Sequence, residues 1–239
     1  MDKNAEKYYG ISPYAYCGGD PVNFGDYDGE NVYRIFAYID KNGNQSVAIT
    51  VEETEDNFDL VYANNTKDPL KLTDQSIMSE VHFEKWNQRT SLFYLTAGTD
   101  DESADQMQAL FFYLRDNTSV EWAASKYADG SFALGAFNRN KISGELAGAA
   151  PPQFKSYQPI ENEVANIHNH PSGSGPSEAD RNKYRRNNKI INQSSNNMSY
   201  QGRLFVAPNN SNSIILHRPG EKDQTIQINK HLFRYFDRL

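Results

Sequence analysis

Residues 167–180 read Ile-His-Asn-His-Pro-Ser-Gly-Ser-Gly-Pro-Ser-Glu-Ala-Asp. His168 and His170 are two apart, and on an extended strand that spacing puts both imidazoles on one face. Pro171 ends such a strand because it has no N–H for the ladder. The Gly/Ser/Pro stretch that follows is a loop, and Ser177 and Asp180 stand where a helix can begin. Two imidazoles joined by a hydroxyl and a carboxylate, brought back by a turn, form a donor set suited to a divalent metal. Ser177 and Asp180 also spell the helix capping box Ser-x-x-acid. Taken singly, the histidines read as turn or core residues.

The pattern His-x-His-Pro, a turn, then Ser-x-x-Asp resembles the signature of the JAB/MPN (JAMM) metallopeptidases. The wording His-Asn-His-Pro-Ser-Gly is especially similar to the RadC branch of that superfamily, although the gap between His170 and Ser177 is shorter than the family's usual one. The resemblance implies Zn2+ held by His168, His170 and Asp180, with a water in the remaining position. It implies that Ser177 is a supporting or oxyanion hydroxyl. It also implies a glutamate, from a strand that follows a helix, that acts on the water as general base.

Residues 102–116 fit that helix. Ala104, Met107, Leu110, Phe111 and Leu114 share one face at helical spacing, and Asp101 or Ser103 is placed to cap its start. Val120 to Ala124 reads as the next strand, turned at Ala128-Asp129-Gly130 into Ser131–Phe137 as a hairpin. Glu121 is therefore the candidate base, with Glu145, Glu161 and Glu163 as rivals. The neighbourhood Asn-Thr-Ser-Val-Glu-Trp is also similar to the toxin-type JAB domains of polymorphic toxins. Trp122 reads as core. His82, His217 and His231 show no partner pattern and read as surface or packing residues.

The first 30 residues carry a different signal. Tyr8-Tyr9, Ser12-Pro13-Tyr14-Ala15-Tyr16, Asp20-Pro21-Val22-Asn23-Phe24 and Asp26-Tyr27-Asp28-Gly29 resemble the closing segment of an Rhs/YD-repeat core, with Asp20 in place of the usual asparagine and Tyr27 in place of proline. The resemblance implies an effector piece that continues from an Rhs shell.

The remaining organisation follows from periodicity and turns. Val32–Ile39 and Gln45–Thr50 form a hairpin about Asp40–Asn44. Phe58–Val61 is a short strand, and Trp86–Tyr94 is helix or strand. Residues 138–160 are a loop able to line a substrate groove. Arg203–Ala207, Ser213–His217 and Gln224–Asn229 are late strands, and His231–Leu239 is a closing helix. The expected domains are 1–30, the core stub; 31–100, a partly β lead-in; and 101–239, a JAB/MPN-like metallopeptidase domain. The expected fold class is α+β, with α/β/α-like layers and a cytidine-deaminase-like mixed sheet flanked by helices.

Composition narrows the functions. The 239 residues carry a net charge of −7, and the pI is near 5.3, which argues against a broad nucleic-acid-binding face. The basic run Arg181, Lys183, Arg185, Arg186 and Lys189 reads as a solvated helix face. No apolar run approaches a membrane span. No signal-peptide pattern opens the chain, so export is expected through a larger parent. Cys17 is the single cysteine, which excludes an intrachain disulfide.

The resulting expectation is a zinc-dependent peptidase or isopeptidase toxin of interbacterial competition. A bacterial secretion system would deliver it into a target cell, where it would act in the cytoplasm on a protein or peptide. A cognate immunity protein would restrain it in the producer. An Rhs-associated nuclease toxin is one competing reading. The letters His-Asn-His do not support it, because HNH nucleases spread those residues over a ββα-metal unit. A non-catalytic JAB-like binding module is the other.

Overall fold

The computed structural model describes residues 30–54, 58–85, 90–139, 154, 156–171, 173–182, 184–186, 203–209, 211–218 and 220–235. The expected core stub, apart from Glu30, lies outside them. So do Glu145, Lys183, Lys189 and most of the 138–160 loop. Among the described residues, twelve strands join in one mixed sheet with few helices.

The chain begins with β1 (Glu30–Ile39) and β2 (Gln45–Thr54), an antiparallel hairpin in full register. β3 (Asp59–Ala63) runs parallel to β1, and β4 (Leu70–Leu72) closes that end of the sheet. A short helix, α1 (Ser76–Ser79), buries Ile77 and Met78. β5 (His82–Lys85) pairs with β6 (Thr90–Ala97). The ambiguous Trp86–Tyr94 stretch thus resolves to strand at its described end. Its alternation of Leu92 and Tyr94 with Phe93 and Leu95 loads both faces with apolar groups, as an interior strand requires.

α2 (Asp101–Asn117) follows. Its cap is Asp100, whose side chain accepts from the Ser103 amide at 2.8 Å, rather than Asp101 or Ser103 as the sequence pattern suggested. Asp101 and Glu102 lie in the first turn, where the positive end of the helix dipole favours them. Met107, Leu110, Phe111 and Leu114 are fully buried and join a core shared with Tyr33, Ile35 and Val61 of the lead-in strands.

β7 (Ala123–Tyr127) and β8 (Phe132–Arg139) form the expected hairpin. β7 begins later than the sequence reading had it. The Trp122 N–H goes to the side chain of Asn169 instead of a ladder carbonyl, so Val120, Glu121 and Trp122 precede the strand. β8 also pairs with β6 along eight positions, from Thr90↔Arg139 to Ala97↔Phe132. Gly135 is required there, because a Cβ would sit 2.2 Å from the Phe93 carbonyl oxygen.

A 3-10 turn (Ile160–Asn162) leads into β9 (Glu163–His170). β9 lies between β7, to which it is antiparallel, and β10 (Arg203–Pro208), to which it is parallel. A parallel neighbour demands a crossover, and helix α3, in helical conformation over 178–182 and 184–186, lies in it. β11 (Ser213–His217) and β12 (Gln224–Gln227) complete this end.

The chain closes on α4 (Leu232–Tyr235). Phe233 stacks on Phe132 with ring centroids 5.9 Å apart. Arg234 reaches Asp101 and Asp105 of α2, and Asp105 also meets His231 at 2.8 Å. His231 therefore has a charged partner that its sequence context did not reveal. So does His217, which lies 2.8 Å from Asp223, while Arg181 of the basic run pairs with the same aspartate.

Candidate metal centre

Strand alternation sets up the site. On β9, His168 and His170 point to the face opposite α2, while Ile167 and Asn169 point toward it. Val206 and Pro208 of β10 stand beside the two histidines in register, and Ala123 of β7 stands beside His168 on its other flank. Both imidazoles thus project from an interior strand. His168 is fully buried and His170 is nearly so. Their Nε2 atoms lie 3.1 Å apart.

The turn after His170 brings the carboxylate back. The Gly173 amide donates to the His170 carbonyl at 2.9 Å, and Gly173 adopts φ 73°, a conformation that favours glycine. Ser177 then caps α3. The Asp180 amide donates to the Ser177 hydroxyl at 3.2 Å, and the Ser177 amide donates to Asp180 Oδ2 at 2.7 Å. This is the reciprocal capping box. The same carboxylate faces the histidines, with Oδ1 at 3.5 Å from His168 Nε2 and Oδ2 at 3.2 Å from His170 Nε2. Capping and contact with the imidazoles are therefore compatible duties of one side chain.

Glu121 comes from the segment just before β7. A carboxylate oxygen of Glu121 lies within 4.8 Å of the ring nitrogens of His168 and His170, and the three residues form a group able to hold a metal ion. Glu163, one of the sequence rivals, bonds instead to Ser125 at 2.7 Å. Glu161 is exposed in the 3-10 turn.

The donor set and its spacing fit zinc. Neighbouring ligand atoms of a tetrahedral site with bonds of about 2.05 Å are separated by roughly 3.3 Å, and the contacts of 3.1, 3.2 and 3.5 Å bracket that value. Imidazole nitrogen with carboxylate oxygen is a set that zinc accepts. His170 Nδ1 is 3.1 Å from the Ser174 carbonyl oxygen. Donation to that carbonyl orients the ring so that Nε2 faces the Asp180 carboxylate and the other imidazole, and Nε2 would be the metal-binding atom of the neutral ring.

The charges are arranged to match. Burial pushes the Asp180 carboxyl up, but hydrogen bonds from His168, His170 and Ser177 outweigh it and hold the group well below the usual carboxylate range. For His170, burial pushes down, while the Asp180 hydrogen bond and the negative charges of Glu121 and Asp180 bring the imidazole above its ordinary value. The two carboxylates thus favour positive charge beside them.

The sequence leaves Ser177 as a supporting or an oxyanion hydroxyl. Here its exposed hydroxyl donates to Asp180 Oδ2 at 2.6 Å. Two residues of the surroundings went unnoticed in the sequence. Ser174 is the outer partner of His170. Asn169 bonds the backbone on both sides of Glu121. A polar residue at the odd position between two same-face histidines was the available signal for Asn169.

Two buried histidines and a half-buried glutamate at the C-terminal end of β9, with an aspartate from the following helix, mark a candidate metal centre on a mixed sheet. Residues 99–202 match the family model described as JAB-like toxin 1. That stretch takes in α2, the β7–β8 hairpin, β9 and α3, and the match supports a JAB-like toxin domain there. Neither the curated proteins nor the solved structures gave a match. No helix among the described residues is long and apolar enough to cross a membrane.

Proposed function

We propose that this protein is a zinc-dependent peptidase or isopeptidase that serves as the effector of an Rhs-type toxin. The observation that carries the reading is the convergence of His168 Nε2, His170 Nε2 and the Asp180 carboxylate within 3.5 Å, with Glu121 facing the same imidazoles. A toxin domain of JAB-like type accords with a hydrolase.

His168, His170 and Asp180 would hold the ion. Zinc there supplies Lewis acidity that makes water nucleophilic near neutral pH. Glu121 receives the proton that water loses as its oxygen adds to the amide carbonyl carbon. When the carbon–nitrogen bond breaks, Glu121 returns that proton to the leaving amine, and the products are a carboxylate and an amine. Without the ion, hydrogen bonds from both imidazoles and Ser177 hold Asp180 ionised; with it, the imidazoles would turn to the metal and Asp180 would be its charged ligand. Ser177 keeps Asp180 in place through its amide and hydroxyl.

Delivery from an Rhs shell rests on the aromatic-rich pattern of residues 8–29. A secretion system would carry the effector into a competitor's cytoplasm, and an immunity protein would cover the site in the producer. The test is metal analysis of purified protein with a toxicity assay. Near-stoichiometric zinc, lost in His168→Ala, and toxicity abolished by Glu121→Gln are expected. Absence of zinc from the wild type would support the binding-module reading. DNA or RNA degradation lost with His168→Ala would support the nuclease.

A further inference from the structure

We infer that Asn169 is a positioning residue that fixes Glu121 opposite the two histidines, by clamping the backbone on both sides of it. The inference rests on the assignment of Glu121 made above.

The side chain of Asn169 is fully buried, and both of its donors and one lone pair of its oxygen are used. Oδ1 accepts from the Trp122 amide at 2.6 Å. Nδ2 donates to the Val120 carbonyl at 3.2 Å and to Asn209 Oδ1 at 2.8 Å. The Asn169 backbone amide adds a bond to the Trp122 carbonyl at 3.1 Å. Val120 and Trp122 are the two neighbours of Glu121, so its Cα hangs between two fixed peptide units.

Alternation makes this geometry work. Asn169 faces α2 because His168 and His170 face away from it, and Trp122 packs toward α2 against Phe93. Glu121, between Val120 and Trp122, is then left on the histidine face. One strand therefore carries the imidazoles on one side and the brace for the glutamate on the other.

The brace is anchored further out. Asn209, just after β10, donates through Nδ2 to the Arg115 carbonyl in the last turn of α2 at 2.7 Å. Trp122 Nε1 donates to Thr118 Oγ1 at 2.8 Å, and Thr118 Oγ1 donates to the Leu114 carbonyl. The segment holding Glu121 is thus tied to β9, β10 and the end of α2, although it pairs in no ladder itself. Only a primary amide meets the demand at position 169, which is one acceptor and two donors. Aspartate lacks the donors and leucine lacks both. Misplacing a catalytic group by about 1 Å costs on the order of 10²-fold in rate, so a glutamate outside a strand needs such a brace.

The test uses histidine-selective nitrogen NMR on the metal-free full chain, and visible absorption of the same proteins loaded with cobalt(II). The proteins are wild type, Glu121→Gln, Asn169→Ala and Asn209→Ala. We expect Glu121→Gln to move the ring signals of His168 and His170, and Asn169→Ala to move them in the same direction by at least half as much. Asn209→Ala, which removes only the outer support, should give a smaller displacement of the same sign, and it decides the matter if Asn169→Ala does not fold. Cobalt should still bind to Asn169→Ala, with a band shape approaching that of Glu121→Gln.

A merely structural asparagine would lower the melting temperature and leave these signals at their wild-type positions. That result, in folded Asn169→Ala or in Asn209→Ala, overturns the inference, as does a Glu121→Gln protein with unmoved ring signals. If the wild type takes up no cobalt while the ring signals respond as expected, the brace stands and the hydrolase reading falls. If cobalt binds and the Asn169 and Asn209 variants leave the signals unmoved, the brace falls and the metal centre stands.

Discussion

Ser177 donates twice to one oxygen of Asp180, through its amide at 2.7 Å and its hydroxyl at 2.6 Å, and that same oxygen lies 3.2 Å from His170 Nε2. The start of α3 and the acidic wall of the candidate metal centre are thus one structure. Removing the hydroxyl touches both. Ser177→Ala should cost about 1 kcal/mol of stability, as the loss of a helix cap does. Zinc affinity should fall roughly 10- to 100-fold, as it does when an outer partner of a ligand is removed. Thermal unfolding and zinc titration measure the two effects. Ser177→Thr, which keeps the hydroxyl, should restore most of each. Unchanged affinity with lost turnover would return Ser177 to the oxyanion role.

Glu121 and His168 should separate binding from chemistry. Glu121→Gln is expected to keep the metal and lower hydrolysis by roughly 10²- to 10⁴-fold, the usual span for a general base. His168→Ala is expected to lose the metal altogether, with the far-ultraviolet circular dichroism retained. Elemental analysis and growth of cells expressing each variant supply the readouts. A toxic Glu121→Gln protein would reassign the base.

The closing clasp gives a pH dependence. Arg234, through its hydrogen bond, holds the Asp105 carboxyl below its ordinary value against the opposing effect of burial, and His231 adds to the lowering. A carboxyl depressed on folding contributes stability that is complete above its unfolded value, near 3.9. That stability is lost as pH falls through the folded value. Melting temperature should therefore drop below about pH 4 more steeply in the wild type than in Arg234→Ala. Parallel acid limbs in the two proteins would remove the clasp from the account.

Gly135 tests the close contact between β6 and β8. A Cβ there meets the Phe93 carbonyl at 2.2 Å, Tyr94 Cβ at 2.7 Å and Phe154 Cε1 at 2.8 Å. Backbone cannot yield as a flexible side chain can. Gly135→Ala should destabilise by about 1–3 kcal/mol or more, read as a lowered urea midpoint. Tolerance of alanine would show that the two strands lie further apart than described.

Much of this arrangement was legible in the chain. The apolar spacing of Ala104, Met107, Leu110, Phe111 and Leu114 marked α2, and the Ala128-Asp129-Gly130 turn marked the β7–β8 hairpin, because both signals are local. His168 and His170 declared a shared face through period-2 geometry. What stayed hidden depends on contacts between distant segments. The start of β7 was misplaced because a side chain 47 positions away takes the Trp122 amide. His217 and His231 looked solitary because Asp223 and Asp105 reach them only after folding. The pairing of β6 with β8 left no mark on either strand's composition beyond burial of both faces.

That pairing bears on how the matched stretch can travel. A cut just before residue 99 would strip β8 of its neighbour at all eight positions from Thr90↔Arg139 to Ala97↔Phe132. The orphaned amides and carbonyls would form a raw, adhesive margin of the kind that recruits other chains. A genetic exchange moving only the JAB-like segment would therefore deliver a self-associating fragment. A cassette that keeps this edge covered must take β6 along with it.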